Sequence, residues 1–350
     1  MRLTEAGQLG LGLESAPAGP ALLDRRARGT DFLKLKVTRI LNPPEATGMP
    51  FWSINPYIGC EFGCAYCYAR ETHRWTAERN GLPIAEPPRE AFERKIFVKD
   101  GVARTLRKTL DPRKVAGASI MIGTATDPYQ PAERRFGVTR SVLEALLGYR
   151  NLKLRIVTKS PLVARDADLL AELARRHRVA VCFSIISLDP DLVRRLEPKT
   201  PLPHARLRGL RALADAGVEA GLLIAPIVPG LTDGWGALGG LMAAGKDAGA
   251  RFADGFALRL GPVARSGFLP ALAREFPDLV TRYRRRYAGR QSAGRDYVAA
   301  LTKRLRTLQA VHGFPVTATA TPPAERAAAA RAAAAEAPAP PTPNLALSFA

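Results

Sequence analysis

The chain has 350 residues and a formal net charge of +20, from 52 Lys and Arg against 32 Asp and Glu. That length suffices for one large core with at most a small appendage. No run of about eighteen apolar residues is free of charge, so a helical membrane span is not indicated, and Met1-Arg2-Leu3-Thr4-Glu5 lacks the basic-then-apolar order of a signal peptide. The excess of positive charge has two readings of equal weight. One is attraction to a nucleic acid; the other is an Arg-rich, Ala-rich habit that leaves a soluble surface.

Residues 1–30 carry Gly7, Gly10, Gly12, Pro17, Gly19 and Pro20 without strong period and read as a loosely structured arm. Phe32 to Leu41 alternates apolar with polar or basic residues, the period of a half-exposed strand, and Pro43, Pro44 and Pro50 stop it. The stretch from Asn55 to Arg70 follows, with Cys60, Cys64 and Cys67 spaced C-x3-C-x2-C. Three cysteines this close, among glycines that let the backbone curl, read as ligands. Zinc would want a fourth ligand, usually as a second pair, and only His73 and Cys182 are on offer. A four-iron cluster on three thiolates fits the count better and leaves one iron open to a ligand. Thiolates need a reducing compartment, so the expected location is the cytoplasm.

Beyond the cysteines, Glu71 to Arg79 reads as a short helix, and a second helix is expected from Phe97 through Val102, Leu106 and Leu110. The chain then becomes rhythmic. Strands are expected at Ala118–Ile122, Leu152–Val157, Val179–Ile185, Val218–Val228 and Phe252–Leu260, with helices between them and across 235–250. Short strands each followed by a helix indicate β-α units on a parallel sheet, and their regularity suggests a barrel or part of one. With the segment entering the cysteine loop, the strands number about six. From Glu275 the composition turns basic: Arg282, Arg284, Arg285, Arg286 and Arg290 surround Tyr283 and Tyr287. This is either an arm for a phosphate backbone or a terminal helical pair with tyrosines inward. Beyond about Ala318 the chain is mostly Ala and Pro and needs no packed structure.

Cys60, Cys64, Tyr66 and Cys67 match C-x3-C-x-aromatic-C, and here the sequence resembles the radical S-adenosylmethionine enzymes. The resemblance is nearest to their spore-photolyase-like branch, over roughly residues 50 to 260. Asn55-Pro56-Tyr57, Cys60 to Tyr68, Thr126-Asp127-Pro128, Lys159-Ser160-Pro161 and Arg195-Leu196-Glu197-Pro198 carry it. It implies a partial (β/α)6 TIM-like barrel at 50–274; composition and periodicity set around it an N-terminal arm and lead-in strand at 1–49, a basic helical extension at 275–317 and an Ala/Pro-rich tail at 318–350. It also implies a [4Fe-4S] cluster on Cys60, Cys64 and Cys67, S-adenosylmethionine as cosubstrate, and a flavodoxin or ferredoxin as electron donor. The reaction it implies is reductive cleavage to a 5'-deoxyadenosyl radical that abstracts hydrogen from a substrate.

The same resemblance supplies the candidate site residues. Tyr66 packs beside cluster and adenine, and Thr124, Thr126 and Asp127 stand where the family grips the methionine ammonium. Lys159 faces the methionine carboxylate, Ser184 the ribose, and Pro229 the adenine. Tyr66 and Tyr68 occupy the places of two catalytic tyrosines of the branch. Its hydrogen-donor cysteine is replaced by Thr124, a poor donor, which sets thymine-dimer repair aside and leaves Cys182 as the candidate thiol or as apolar packing. Nucleic-acid repair or modification, action on a protein or small molecule, and a non-catalytic iron-sulfur or zinc nucleic-acid-binding protein are the competing readings.

Overall fold

A computed structural model describes residues 21–26, 29–47, 49–70 and 88–316. Two sheets organise them. In the smaller, strands β1 (Leu22–Arg25), β2 (Asp31–Lys36), β6 (Lys95–Asp100) and β5 (Tyr57–Ile58) lie in the order β1-β2-β6-β5. The larger has seven strands in the order β11-β10-β9-β8-β7-β4-β3. They are β3 (Leu41–Asn42), β4 (Trp52–Ile54), β7 (Ser119–Ile122), β8 (Lys153–Thr158), β9 (Arg178–Ser184), β10 (Ala220–Ile227) and β11 (Ala253–Ala257). From β4 to β11 every pairing is parallel, and only β3 runs antiparallel, against β4. The sheet is open. The mixed α/β class is as expected, and the parallel strands number six, β4 among them.

Alternation along the strands separates two faces. Leu154, Ile156, Val179, Val181, Phe183, Leu222 and Ile224 turn outward into one core with the helices Val138–Leu146, Ala167–Ala174, Pro203–Asp215 and Trp235–Asp247. On the other face Ala180 and Cys182 pack with Phe252, Val157 and Leu223. The carboxyl ends of the parallel strands therefore converge on the loops after β7, β8, β9 and β10.

Several local expectations change. Phe97 lies in strand β6, because it pairs in parallel with Leu33 of β2; the helix begins only at Val102. The arm contains strand β1, held antiparallel to β2. Helices at Pro190–Leu196 and Pro262–Glu275 were not expected, the second despite Pro270 within it. At the basic end, Tyr283 and Tyr287 are buried in the helix Val280–Arg286 and the turn beyond it, while Arg282, Arg284 and Arg285 are exposed. The inward-tyrosine reading holds. The helix expected at Glu71 to Arg79, and the tail from 318, lie outside the described residues.

Candidate active site at the cysteine loop

The loop begins where Asn55-Pro56-Tyr57 leaves β4. The Asn55 side chain accepts from the Ala125 amide at 2.8 Å, and the Tyr57 hydroxyl donates to buried Glu133 at 2.5 Å. This short motif thereby ties the loop to the segment after β7. Gly59 is held at φ +89, and a Cβ there would meet the Phe92 carbonyl at 2.8 Å, so no other residue fits without displacing backbone. Its carbonyl accepts from the Thr126 hydroxyl at 2.6 Å and from Gln130 at 3.1 Å. The Cys60 amide donates to Phe92 O at 2.9 Å, and the Ala65 amide to Leu196 O at 2.9 Å. Buried Arg70 closes the loop, donating to Ala65 O at 3.1 Å and pairing with Glu93 at 2.8 Å.

Cys60 and Cys64 are buried and Cys67 is half-buried; none is in a disulfide. Burial pushes the Cys60 and Cys64 thiols up, and the neighbouring Cys67 sulfur adds to the shift at both. A cationic centre is what turns such thiols into thiolates. Among the described residues no three His, Cys, Asp or Glu side chains converge closely enough to hold a single metal ion. The three thiols lie in mutual electrostatic reach, and three thiolates are a donor set that a four-iron cluster can take with one iron left open.

Above the loop, a charged constellation is almost wholly shielded from water. Glu197, fully buried, accepts from the Tyr66 hydroxyl, the Arg206 guanidinium and, at 3.2 Å, the Thr200 hydroxyl. Lys159 Nζ lies 3.8 Å from Glu197, 2.9 Å from Ser184 Oγ and 5.8 Å from the centre of the Tyr66 ring. Ser184 Oγ donates to Ala225 O at 3.1 Å, and Arg206 donates to Ser184 O at 2.7 Å. Burial alone would push the Glu197 carboxyl up, but Arg206, Lys159 and Tyr66 outweigh it and hold it below the usual carboxylate range. Burial likewise opposes charge on Lys159, and Glu197 and Cys64 overcome it. Burial and the adjacent Glu197 push the Tyr66 phenol far up, so it stands as a neutral donor.

Of the residues singled out from sequence, Tyr66, Lys159 and Ser184 are thus brought together. Thr124 and Tyr68 meet nearby, the Tyr68 hydroxyl donating to Thr124 O and the Thr124 hydroxyl accepting from Asn55 at 3.4 Å. Thr126 holds the Gly59 carbonyl. Asp127 accepts from Tyr129 N at 2.9 Å, Thr158 Oγ1 at 2.7 Å and Lys159 N at 2.7 Å. The Asp127 carboxylate therefore braces the end of β8. Gly123, at φ +90, lets the chain pass where a Cβ would meet Pro128 at 2.4 Å. Pro229 is buried, and its carbonyl accepts from Tyr283 OH at 2.6 Å. Cys182 shares the inward face with Ser184 but lies two residues deeper, 2% exposed, its thiol pushed up to about 12 by burial.

Glu197 and Arg206 were not recognised as the centre of the site. One signal was available. Arg206 occupies the apolar stripe of its helix with Leu210 and Leu213, at i, i+4 and i+7, and an arginine there demands a buried carboxylate.

The sequence profile described as the Radical SAM superfamily matches residues 54–236. An uncharacterized protein of Mycobacterium tuberculosis is 36% identical over 261 residues, 74% of this chain and 74% of that one. Among solved structures, a spore photoproduct lyase mutant with bound AdoMet and dinucleoside spore photoproduct superimposes with a TM-score of 0.61 at 19% identity, covering 81% of this chain and 80% of the other. A spore photoproduct lyase complexed with dinucleoside spore photoproduct gives 0.56 at 19% identity, over 76% and 74%. At that identity the likeness concerns the fold.

Proposed function

The chain belongs to the radical SAM superfamily, and from that premise we propose that it abstracts hydrogen from a nucleic-acid substrate at the carboxyl ends of β7 to β10. Membership makes it a radical S-adenosylmethionine enzyme with a [4Fe-4S] cluster, and the reading as a binding protein without catalysis falls away. In the proposed arrangement the six parallel strands form a partial barrel, with Cys60, Cys64 and Cys67 holding the cluster. When bound with S-adenosylmethionine, that cluster supplies the electron that releases a 5'-deoxyadenosyl radical.

The chain's own residues position and shield. Lys159 presents a fixed ammonium to the methionine carboxylate, and Ser184 presents a hydroxyl to the ribose. Glu197 orients both Lys159 and Tyr66, fixing the Tyr66 hydroxyl as a donor to its carboxylate. Thr124 offers backbone oxygen beside the Tyr68 hydroxyl. Glu197 and Arg206 are themselves shut off from water, so the charges that hold Lys159 and Tyr66 are not screened by solvent. The observation that carries this reading is the meeting of Lys159 and Ser184 with Tyr66 of the three-cysteine loop, within electrostatic reach of Cys64.

The nucleic-acid substrate is supported by the net charge of +20. It is also supported by exposed Arg282, Arg284 and Arg285, on a helix whose Tyr283 is anchored to Pro229 at the end of β10. Two spore photoproduct lyase structures that share the fold hold a dinucleoside spore photoproduct.

The test is anaerobic reconstitution with iron and sulfide, then dithionite and S-adenosylmethionine, scored for 5'-deoxyadenosine. Product is expected, and single-stranded oligonucleotide should bind with an affinity that falls steeply with salt. An intact cluster that yields no product with any reductant would overturn the radical reading. Product without salt-sensitive oligonucleotide binding would overturn only the substrate class. Within the same assay, Lys159→Met should leave iron content unchanged. It should weaken S-adenosylmethionine binding, measured by equilibrium dialysis, by about ten- to a hundredfold, the worth of one charge-assisted hydrogen bond.

A further inference from the structure

Phe62 of the cysteine loop lines a groove of about 640 Å³. Its walls carry Arg26, Arg134, Arg135 and Lys199, and its lining includes Phe62, Tyr129 and Ser160 but no carboxylate. Three of the four cations have carboxylate partners: Arg26 with Glu61, Arg135 with Asp24, and Lys199 with Glu93. Those pairs are ordered inside-out. The carboxylates are 9%, 23% and 12% exposed, whereas their cations are 39%, 56% and 55% exposed. Arg134 is exposed and has no carboxylate partner among the described residues. The acidic groups thus lie against the protein and the face shown to solvent is cationic.

The position of this groove matters more than its charge. Phe62 is two residues from both Cys60 and Cys64, so its Cα lies within about 7.6 Å of theirs. Its carbonyl accepts from Lys199 N at 3.3 Å, which fastens one wall of the groove to the loop. Ser160 lines the groove while its neighbour Lys159 turns the opposite way, to Ser184. The loop therefore has two sides: one carries the constellation proposed for the cosubstrate, and the other is a cationic recess open to a partner.

We propose that this groove docks the electron donor, a small acidic protein that carries one low-potential electron. The reduced carrier loses one electron and the cluster site gains it; no bond forms or breaks, and no proton moves. An acidic carrier fits because its charge complements the recess and steers the encounter. The short path through Phe62 suits transfer that decays steeply with distance. The proposal rests on the radical reading above, and its test separates the two.

Reduced flavodoxin serves as the probe, against dithionite, which is small and needs no docking face. Arg134→Glu/Arg135→Glu and Arg134→Glu alone would be compared with wild type. A control, Arg104→Glu/Lys108→Glu, reverses charge on exposed positions outside the groove. In the groove double variant, flavodoxin-driven 5'-deoxyadenosine formation should fall about tenfold or more while the dithionite-driven rate stays unchanged. Binding of oxidised flavodoxin, followed by calorimetry at low salt, should weaken in parallel, and the control should keep both. Equal flavodoxin rates and affinities in wild type and groove variants would overturn the proposal, as would an equal loss in the control. So would groove variants that lose oligonucleotide binding and keep the flavodoxin rate. If wild type made no 5'-deoxyadenosine with dithionite, the radical reading itself would fail, and the flavodoxin affinities would still judge the groove.

Discussion

Alanine at Cys64 is expected to give a folded protein that neither retains a cluster nor releases 5'-deoxyadenosine. The loop does not rely on the thiol for its shape. Backbone bonds from Cys60 N to Phe92 O and from Ala65 N to Leu196 O, with the Thr126 and Gln130 bonds to Gly59 O, hold it from outside. Loss of Sγ removes one of the three proposed ligands and leaves the surrounding packing in place, so thermal unfolding of the metal-free variant should match that of metal-free wild type. Iron content after reconstitution and product formation should both drop to the level seen without protein. Cys60→Ala and Cys67→Ala should behave alike, because two thiolates do not hold the group. Cys182→Ala is the internal control: it lies on β9 among Ala180, Phe252, Val157 and Leu223, and its loss should leave iron content intact. A Cys64→Ala protein that still loaded four irons and made product would refute the ligand assignment.

The second large effect is expected at Glu197. Its carboxylate is the single acceptor shared by Arg206, Tyr66 and Thr200, with Lys159 at 3.8 Å. Glu197→Ala leaves the fully buried Arg206 guanidinium without its carboxylate partner and takes from half-buried Lys159 the first of the anionic neighbours that hold its charge. Removing one partner of a buried pair typically costs about 3–5 kcal/mol. The denaturant midpoint should fall accordingly. Glu197→Gln keeps the shape and the hydrogen bond from Tyr66 but not the charge, so it should destabilise less while still weakening S-adenosylmethionine binding. A structural role alone would move stability in both variants and leave cosubstrate affinity untouched in the glutamine form. That split distinguishes positioning from packing.

The parallel units were legible because their information is local. In β8 the buried residues Leu154, Ile156 and Thr158 alternate with half-exposed ones, and the helix Val138–Leu146 keeps one apolar face. The cysteine spacing was legible for the same reason. What escaped depended on distant partners. Ile96-Phe97-Val98 is a continuous apolar run that a helix could also contain, and only its pairing with Phe32-Leu33-Lys34 makes it a strand. Pro262–Glu275 carries Pro270 and Gly267, which argue against a helix until Phe268, Ala271 and Leu272 are seen buried against Tyr283 and Val228. Glu197 did not stand out as a centre because Tyr66, whose hydroxyl donates to it, is 131 residues away in the chain. Asp127 reads from sequence as part of a ligand grip, and its role as a brace is visible only in its three bonds to Tyr129, Thr158 and Lys159.

Those three bonds bear on the entropy of binding. A free lysine side chain loses about 1.5–2 kcal/mol of rotamer freedom when it is immobilised. Lys159 has its backbone amide clamped by Asp127 and its ammonium held by Ser184 and Glu197. Its disorder is removed when the chain folds, so an incoming anion meets a charge already aimed. Such preorganisation favours affinity without any added contact.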